Sequence, residues 1–129
     1  MIVGYIRGLL LSNDKISTEV GDRIFPLKPP QDCDLPCIVL HETFHQQNQY
    51  LDHTSRVQVG VFAESTETEF GYDIAHRIAK VILERMNLYS GTNGEYRLHE
   101  VSHIGDTENI AEDPESFAIY SDYYVLWSE

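Results

Sequence analysis

Residues 56–86 constrain the fold more than any other stretch, because they join a strand directly to an amphipathic helix. In Arg56-Val57-Gln58-Val59-Gly60-Val61-Phe62-Ala63, four small apolar residues (Val57, Val59, Val61, Ala63) alternate with Gln58, Gly60 and Phe62. That period of two is what a strand shows when one face is packed and the other is freer. Thr66-x-x-Glu69 then has the form of a capping box. The Thr hydroxyl of such a box accepts from the third helical N–H while the Glu carboxylate reaches back to the cap, so the helix is expected to open at Thr66. Glu67 and Glu69 also stand at the positive end of the helix dipole. Phe70, Ile74, Ile78, Val81, Ile82 and Met86 recur at spacings of three and four and build an apolar stripe. Asp73, His76, Arg77, Lys80, Glu84 and Arg85 fall elsewhere. One side of this helix therefore covers a core, and the other meets water or a partner.

The remaining elements are placed around this unit. Ile2, Tyr5, Ile6, Leu9 and Leu10 have helical spacing over residues 2–11, with Arg7 outward, and Ser12-Asn13-Asp14 ends or interrupts that helix. Residues 16–24 read as a turn at Gly21-Asp22 leading into a short extended piece, Arg23-Ile24-Phe25. Pro26, Pro29, Pro30 and Pro36 make 26–36 irregular, since each fixes φ and withdraws a donor. A strand is expected over 37–45, a polar connection at Gln46-Gln47-Asn48-Gln49, and a second strand from Tyr50 to Ala63, the pair forming a long hairpin. After the helix, Ser90-Gly91 and Asn93-Gly94 signal turns. Tyr96 to Ile104 reads as a strand with Tyr96, Leu98 and Ile104 on one side and Val101 on the other. Gly105 to Ser116 reads as an acidic loop closed by Asp113-Pro114, and Phe117 to Trp127 as a final strand apolar on both faces. The expected order is α-β-β-α-β-β, an α+β domain with a mostly antiparallel sheet of about four to five strands and two helices packed on one face. The whole of 1–129 fits a single domain.

Composition narrows the function. With 21 acidic against 9 basic residues the formal net charge is −12, and no Lys or Arg follows Arg97. Such a surface repels phosphate backbones and disfavours nucleic-acid binding by charge neutralisation. No apolar run approaches the roughly 20 residues that span a bilayer, so no membrane partner is expected. The start, Met1-Ile2-Val3-Gly4-Tyr5-Ile6-Arg7, has no basic segment followed by an apolar one, so no signal peptide is read. Two cysteines, Cys33 and Cys37, are too few for a disulfide framework.

Cys33-x3-Cys37-x3-His41-x3-His45 offers four soft ligands at even spacing. Pro36 and the Cys-Ile-Val-Leu run place it on a strand, where four residues cover about 13 Å. A tetrahedral ion with bonds of roughly 2 Å cannot bridge that distance. His99 and His103 fail on the same ground, and no metal or cofactor is expected. The chain has no Gly-x-Ser-x-Gly, no phosphate-binding Gly-rich loop and no His-Glu-x-x-His. Nothing positive points to an enzyme, so no catalytic residue is assigned.

Taken together, a leading helix, Val20-Gly21-Asp22-Arg23-Ile24-Phe25-Pro26, a Pro-rich passage, Leu35-Pro36-Cys37-Ile38-Val39-Leu40, the strand and helix of 56–86, and a last strand ending Tyr123-Tyr124-Val125-Leu126-Trp127 form a recognisable arrangement. In it the chain resembles the tail completion, or tail terminator, proteins of long-tailed bacteriophages, also called head–tail joining proteins. The resemblance runs over residues 5–127 and is looser in 105–116. It carries no family role for Cys33 or Cys37.

That resemblance implies a virion protein that caps the tail tube, stops its polymerisation and offers the surface that meets the head, with assembly in the host cytoplasm. It implies a homo-oligomeric ring, typically a hexamer, with the tail tube protein and a head–tail connector or stopper as partners. DNA passes through such a ring without specific binding, and an acidic lumen would keep it moving. The candidate lumen or interface acids are Asp106, Glu108, Glu112, Asp113 and Glu115. A ring is a heterologous association that needs two different patches. The candidate patches are the Pro-rich loop 26–36, the hairpin end 45–54 and the aromatic final strand. Two alternatives stand beside this reading: a connector or stopper component, and a small α+β enzyme or ligand-binding domain.

Overall fold

A computed structural model of the chain describes residues 2–30, 33–48, 52–110 and 116–129. Its elements are α1 (Ile2–Leu11), α2 (Asp14–Val20), β1 (Ile24–Pro26), β2 (Cys37–Gln47), β3 (His53–Glu64), α3 (Gly71–Met86), β4 (Gly91–Asn93), β5 (Tyr96–Ile110) and β6 (Ser116–Ser128). The strands form one six-stranded sheet in the order β1-β2-β3-β6-β5-β4. Every neighbouring pair is antiparallel except β1 and β2, which run parallel. The sheet is therefore larger than the four to five strands expected, and mixed.

Three described helices, not two, pack on one face. The additional helix is α2, where the sequence reads as a turn. Its start is set by Asn13, whose side-chain oxygen accepts from the backbone N–H groups of Lys15 (3.0 Å) and Ile16 (3.2 Å). Its end is set by Gly21, which turns the chain at φ 60° while donating to the Ser17 carbonyl at 2.8 Å. Ile16 and Val20 lie four apart on the short helix and are both buried, which is how seven residues hold a place in the core.

The core lies between the helices and the sheet. Ile6 and Leu10 of α1, Ile16 of α2, and Ile74, Ile78, Ile82 and Met86 of α3 pack on Ile24, Ile38, Leu40, Val57, Val59, Val61, Leu98, Val101, Ile119 and Val125. Val57, Val59, Val61 and Ala63 all point into it, as their alternation requires. Two residues depart from the expected α3 stripe: Val81 is half-buried, and Phe70 is 72 % exposed. The helix opens at Gly71 and not at Thr66. Thr66 does cap a turn, accepting from the N–H of Glu69 (3.1 Å) and Thr68 (3.3 Å), but Phe70 is extended and ends it. Ser65 Oγ then accepts from Gly71 N at 2.9 Å. A Cβ at Gly71 would lie 3.1 Å from the Glu64 and Ser65 backbone, so the close approach of strand and helix selects glycine there.

β5 corrects two expectations. Leu98 and Val101 do not lie on opposite faces: a bulge between Leu98 and Glu100 shifts the register, and both are buried in the core. A second bulge between His103 and Gly105 leaves Ile104 41 % exposed. The acidic loop is also shorter than expected, because β5 continues as strand to Ile110 and β6 begins at Ser116. Tyr50 and Leu51, expected to start β3, lie outside the described residues.

Candidate assembly surface

Of the acids predicted from sequence, Asp106 and Glu108 are described, and Glu112, Asp113 and Glu115 lie outside the described residues. The second β5 bulge sets where the first two stand. After it, Asp106 pairs with Ser121 and Glu108 with Ile119, so both occupy the face that carries the helices. Each has a histidine beside it: His103 Nε2 is 2.8 Å from Asp106 Oδ1, and His76 Nε2 on α3 is 2.8 Å from Glu108 Oε1. Burial pushes the Asp106 carboxyl up, but hydrogen bonds from Ser121 and His103, with the charges of His103 and His76, outweigh it and hold the group below its ordinary value. Both side chains are 49 % exposed. Both acids thus face water, and Glu108 ties the upper half of β5 to α3. These histidine partners were not legible in the sequence, since only the bulge brings His103 and Asp106 onto one side of the strand.

At the far end of the β2–β3 hairpin, aromatic rings pack on the helix side of the sheet. His45, His53 and Trp127 stack, with ring centroids 5.0 Å apart for the two imidazoles and 4.1 Å for His53 and Trp127, and Tyr96 meets the indole edge-on at 5.5 Å. His45 Nε2 and His53 Nδ1 share a hydrogen bond of 2.8 Å. Beneath them runs a polar chain: Trp127 Nε1 donates to Ser55 Oγ (2.9 Å), and Ser55 donates to Glu42 Oε2 (2.7 Å). His53 and Ser55 are buried although polar, and these partners are why.

The opposite face of the sheet carries no helix among the described residues. The Pro-rich segment lies against part of it, where Pro29, Pro30, Cys33 and Leu35 share a cleft with Cys37 and Tyr120. Burial, with Cys33 beside it, pushes the Cys37 thiol up to about 12. Cys37 and His41 stand on that face, whereas His45, beyond the Thr43 bulge, stands on the other. The four soft ligands of the 33–45 run are therefore divided between faces, and among the described residues no group of three metal-binding side chains comes together. Farther along the open face, Phe44, Arg56 and Tyr124 form one cross-strand row, with the guanidinium 6.0 Å over the Tyr124 ring and 3.6 Å from Asp122. Phe44 and Tyr124 are nearly half exposed. On this face the even-numbered side of the final strand sets Tyr120 against Phe62 and Tyr124 under Arg56, with no helix over it among the described residues.

Both long outer strands keep an unpaired edge. β1 covers β2 only from Ile38 to Leu40, so among the described residues β2 has no strand beyond it from His41 to Gln47. β4 covers β5 only from Tyr96 to Leu98, and the 87–88 turn covers Val101 and His103 through Leu88 N (2.8 Å to Val101 O) and Asn87 Oδ1 (3.1 Å from His103 N). From Ile104 to Ile110 β5 has no outer neighbour among the described residues. Unpaired edges of this length are templates for pairing with another chain.

No family model matches the chain, and no curated protein matches it in sequence. The fold itself has a solved counterpart. A chain of the virion of the native gene transfer agent (GTA) particle superposes with a TM-score of 0.77 at 11 % identity, over 96 % of this chain and 92 % of that one. At that identity the likeness is one of fold.

Proposed function

We propose that this chain is a structural protein of a phage-like virion, and more specifically a tail terminator. In this role it caps the tail tube as a homo-oligomeric ring, of six subunits as the family resemblance implies, stops tube growth and presents the surface that joins the head. The observation that carries the reading is the fold shared almost end to end with a virion chain. Two further features support it. The opposed unpaired edges of β2 and β5 supply the two unlike patches that a head-to-tail ring needs. A net charge of −12 suits a passage that must not hold DNA. Asp106 and Glu108, with Glu112, Asp113 and Glu115, are the acids proposed for the lumen or the subunit interface. The tail tube protein and a head–tail connector are the partners, and the head–tail junction is the place of action after assembly in the host cytoplasm.

The test is to add the purified protein to polymerising tail tube protein and measure tube length by negative-stain microscopy. A terminator shortens the tubes in proportion to its concentration and appears as a ring at one end. Unchanged tube lengths with no end-bound density would overturn the assignment.

A further inference from the structure

Resting on the ring reading, we propose that neighbouring copies join edge to edge, the free part of β2 in one subunit pairing antiparallel with the free part of β5 in the next, so that one sheet continues from subunit to subunit. The outward hydrogen-bonding groups can be followed along each ladder. On β2, Ile38 N donates to Arg23 O (2.9 Å) and Leu40 O accepts from Leu27 N (2.9 Å), so even-numbered residues face outward there. The bulge at Thr43 moves that alternation to His45 and Gln47. On β5, Val101 O and His103 N face outward, and the bulge at Ile104 moves the alternation to Asp106 and Glu108.

Of the registers that match these groups, the one that gives both carboxylates a polar partner places His45 opposite Glu108 and Gln47 opposite Asp106. All four stand on the helix side of their own sheet, since His45 pairs with Ser55 and Glu108 with Ile119. The pairing therefore sets an imidazole and an amide against two carboxylates, with no like charges directly opposed. A two-fold pairing of β5 on β5 would oppose carboxylate to carboxylate, and one of β2 on β2 would leave those carboxylates without partners, whereas the head-to-tail association gives each a polar partner. The free part of β2 lies at the hairpin end, and the free part of β5 at the other end of the sheet. Joining them staggers successive subunits along the strand direction, so in a closed ring the strands must tilt to the ring axis, as in any closed sheet.

The experiment uses the full chain with Cys33→Ser. Directly opposed residues of an antiparallel pair have the spacing a disulfide accepts, so His45→Cys and Glu108→Cys are combined and oxidised with copper phenanthroline. Covalent multiples extending beyond the dimer are expected from the double variant, and dimers alone from a mixture of the two single variants. Glu108→Pro, which removes an outward N–H, should abolish assembly measured by light scattering, while Glu108→Ala, which keeps it, should not; circular dichroism checks that both fold. If the parent protein assembles and caps tubes but the cysteines do not cross-link, or Glu108→Pro assembles like Glu108→Ala, the edge pairing is wrong and the ring reading survives. A parent that neither assembles nor caps tubes removes both.

Discussion

Tyr123→Phe should stabilise this protein, against the usual direction of such a change. Tyr123 is fully buried in the core, and its hydroxyl has no hydrogen-bond partner among the described residues. A buried polar group without a partner costs about 1–3 kcal/mol, whereas a paired one contributes about 1 kcal/mol. Deleting the oxygen leaves a void of roughly 10–15 Å³, worth about 0.3 kcal/mol at ~24 cal/mol per Å³. The net is a gain of about 1 kcal/mol, or about 3–5 °C in Tm for a domain of this size. The alkaline limb gives a second readout. Burial and the nearby Asp106 charge raise the Tyr123 phenol above its ordinary value of 10.0, so the neutral form is favoured in the folded state. Its contribution is fully present below about pH 10 and is lost as pH rises towards the folded value. The parent should therefore lose stability above about pH 10 in a way the Phe variant does not. Calorimetry from pH 7 to 11 measures both. A fall in Tm of several degrees at pH 7 would show that the hydroxyl is paired and refute the reasoning.

Three further outcomes follow from the contacts described. Arg77 binds Glu19 through Nε (2.7 Å) and Nη2 (3.0 Å) and also pairs with Glu69, tying α3 to α2 and to the 66–69 turn. The guanidinium is 43 % exposed, so Arg77→Ala should cost about 1 kcal/mol or less in urea unfolding, a difference that shrinks in 1 M salt. Asp106 has a lowered folded-state carboxyl, so its contribution is present above about pH 4 and is lost as pH falls through the folded value. Asp106→Asn should flatten that part of the acid unfolding curve. The Cys37 thiol, buried and pushed up to about 12, should resist iodoacetamide at pH 8 in the folded protein, while half-exposed Cys33 is alkylated, as peptide mass spectrometry can show.

The strand and helix of 56–86 were legible because each buries one face and so prints its period on the sequence. Ile74, Ile78, Ile82 and Met86 are buried, as the stripe requires. Phe70 fits the same spacing yet lies outside the helix, because the Thr66 signal caps a separate turn and the close strand-to-helix approach at Gly71 decides the start. α2 was missed because seven residues give too little periodicity, and its Asn13 cap looks like a loop residue. The β5 bulges broke the strand period, placing Val101 with Leu98 and turning Asp106 and Glu108 towards the helices. The parallel pairing of β1 with β2 leaves no local signal in a three-residue strand. Of the proposed acids, sequence showed their abundance, but the His103 partner of Asp106 depends on the β5 bulge and the His76 partner of Glu108 on the packing of α3 beside β5, neither of which a spacing encodes.

β6 runs between β3 and β5, so the middle of the sheet is supplied by the strand that comes latest in this sequence. Trp127 reaches back across 72 residues to Ser55. While the chain emerges from a ribosome, β3 can pair with β2 on one side only, and the apolar row Val57, Val59 and Val61 waits with its other edge bare. Folding to the native core is thus tied to completion of the sheet's centre, a long-range closure that slows it and leaves a sticky strand exposed for the duration of synthesis. Until β6 arrives that bare edge is open to mispairing, and its arrival both closes the edge and completes the subunit.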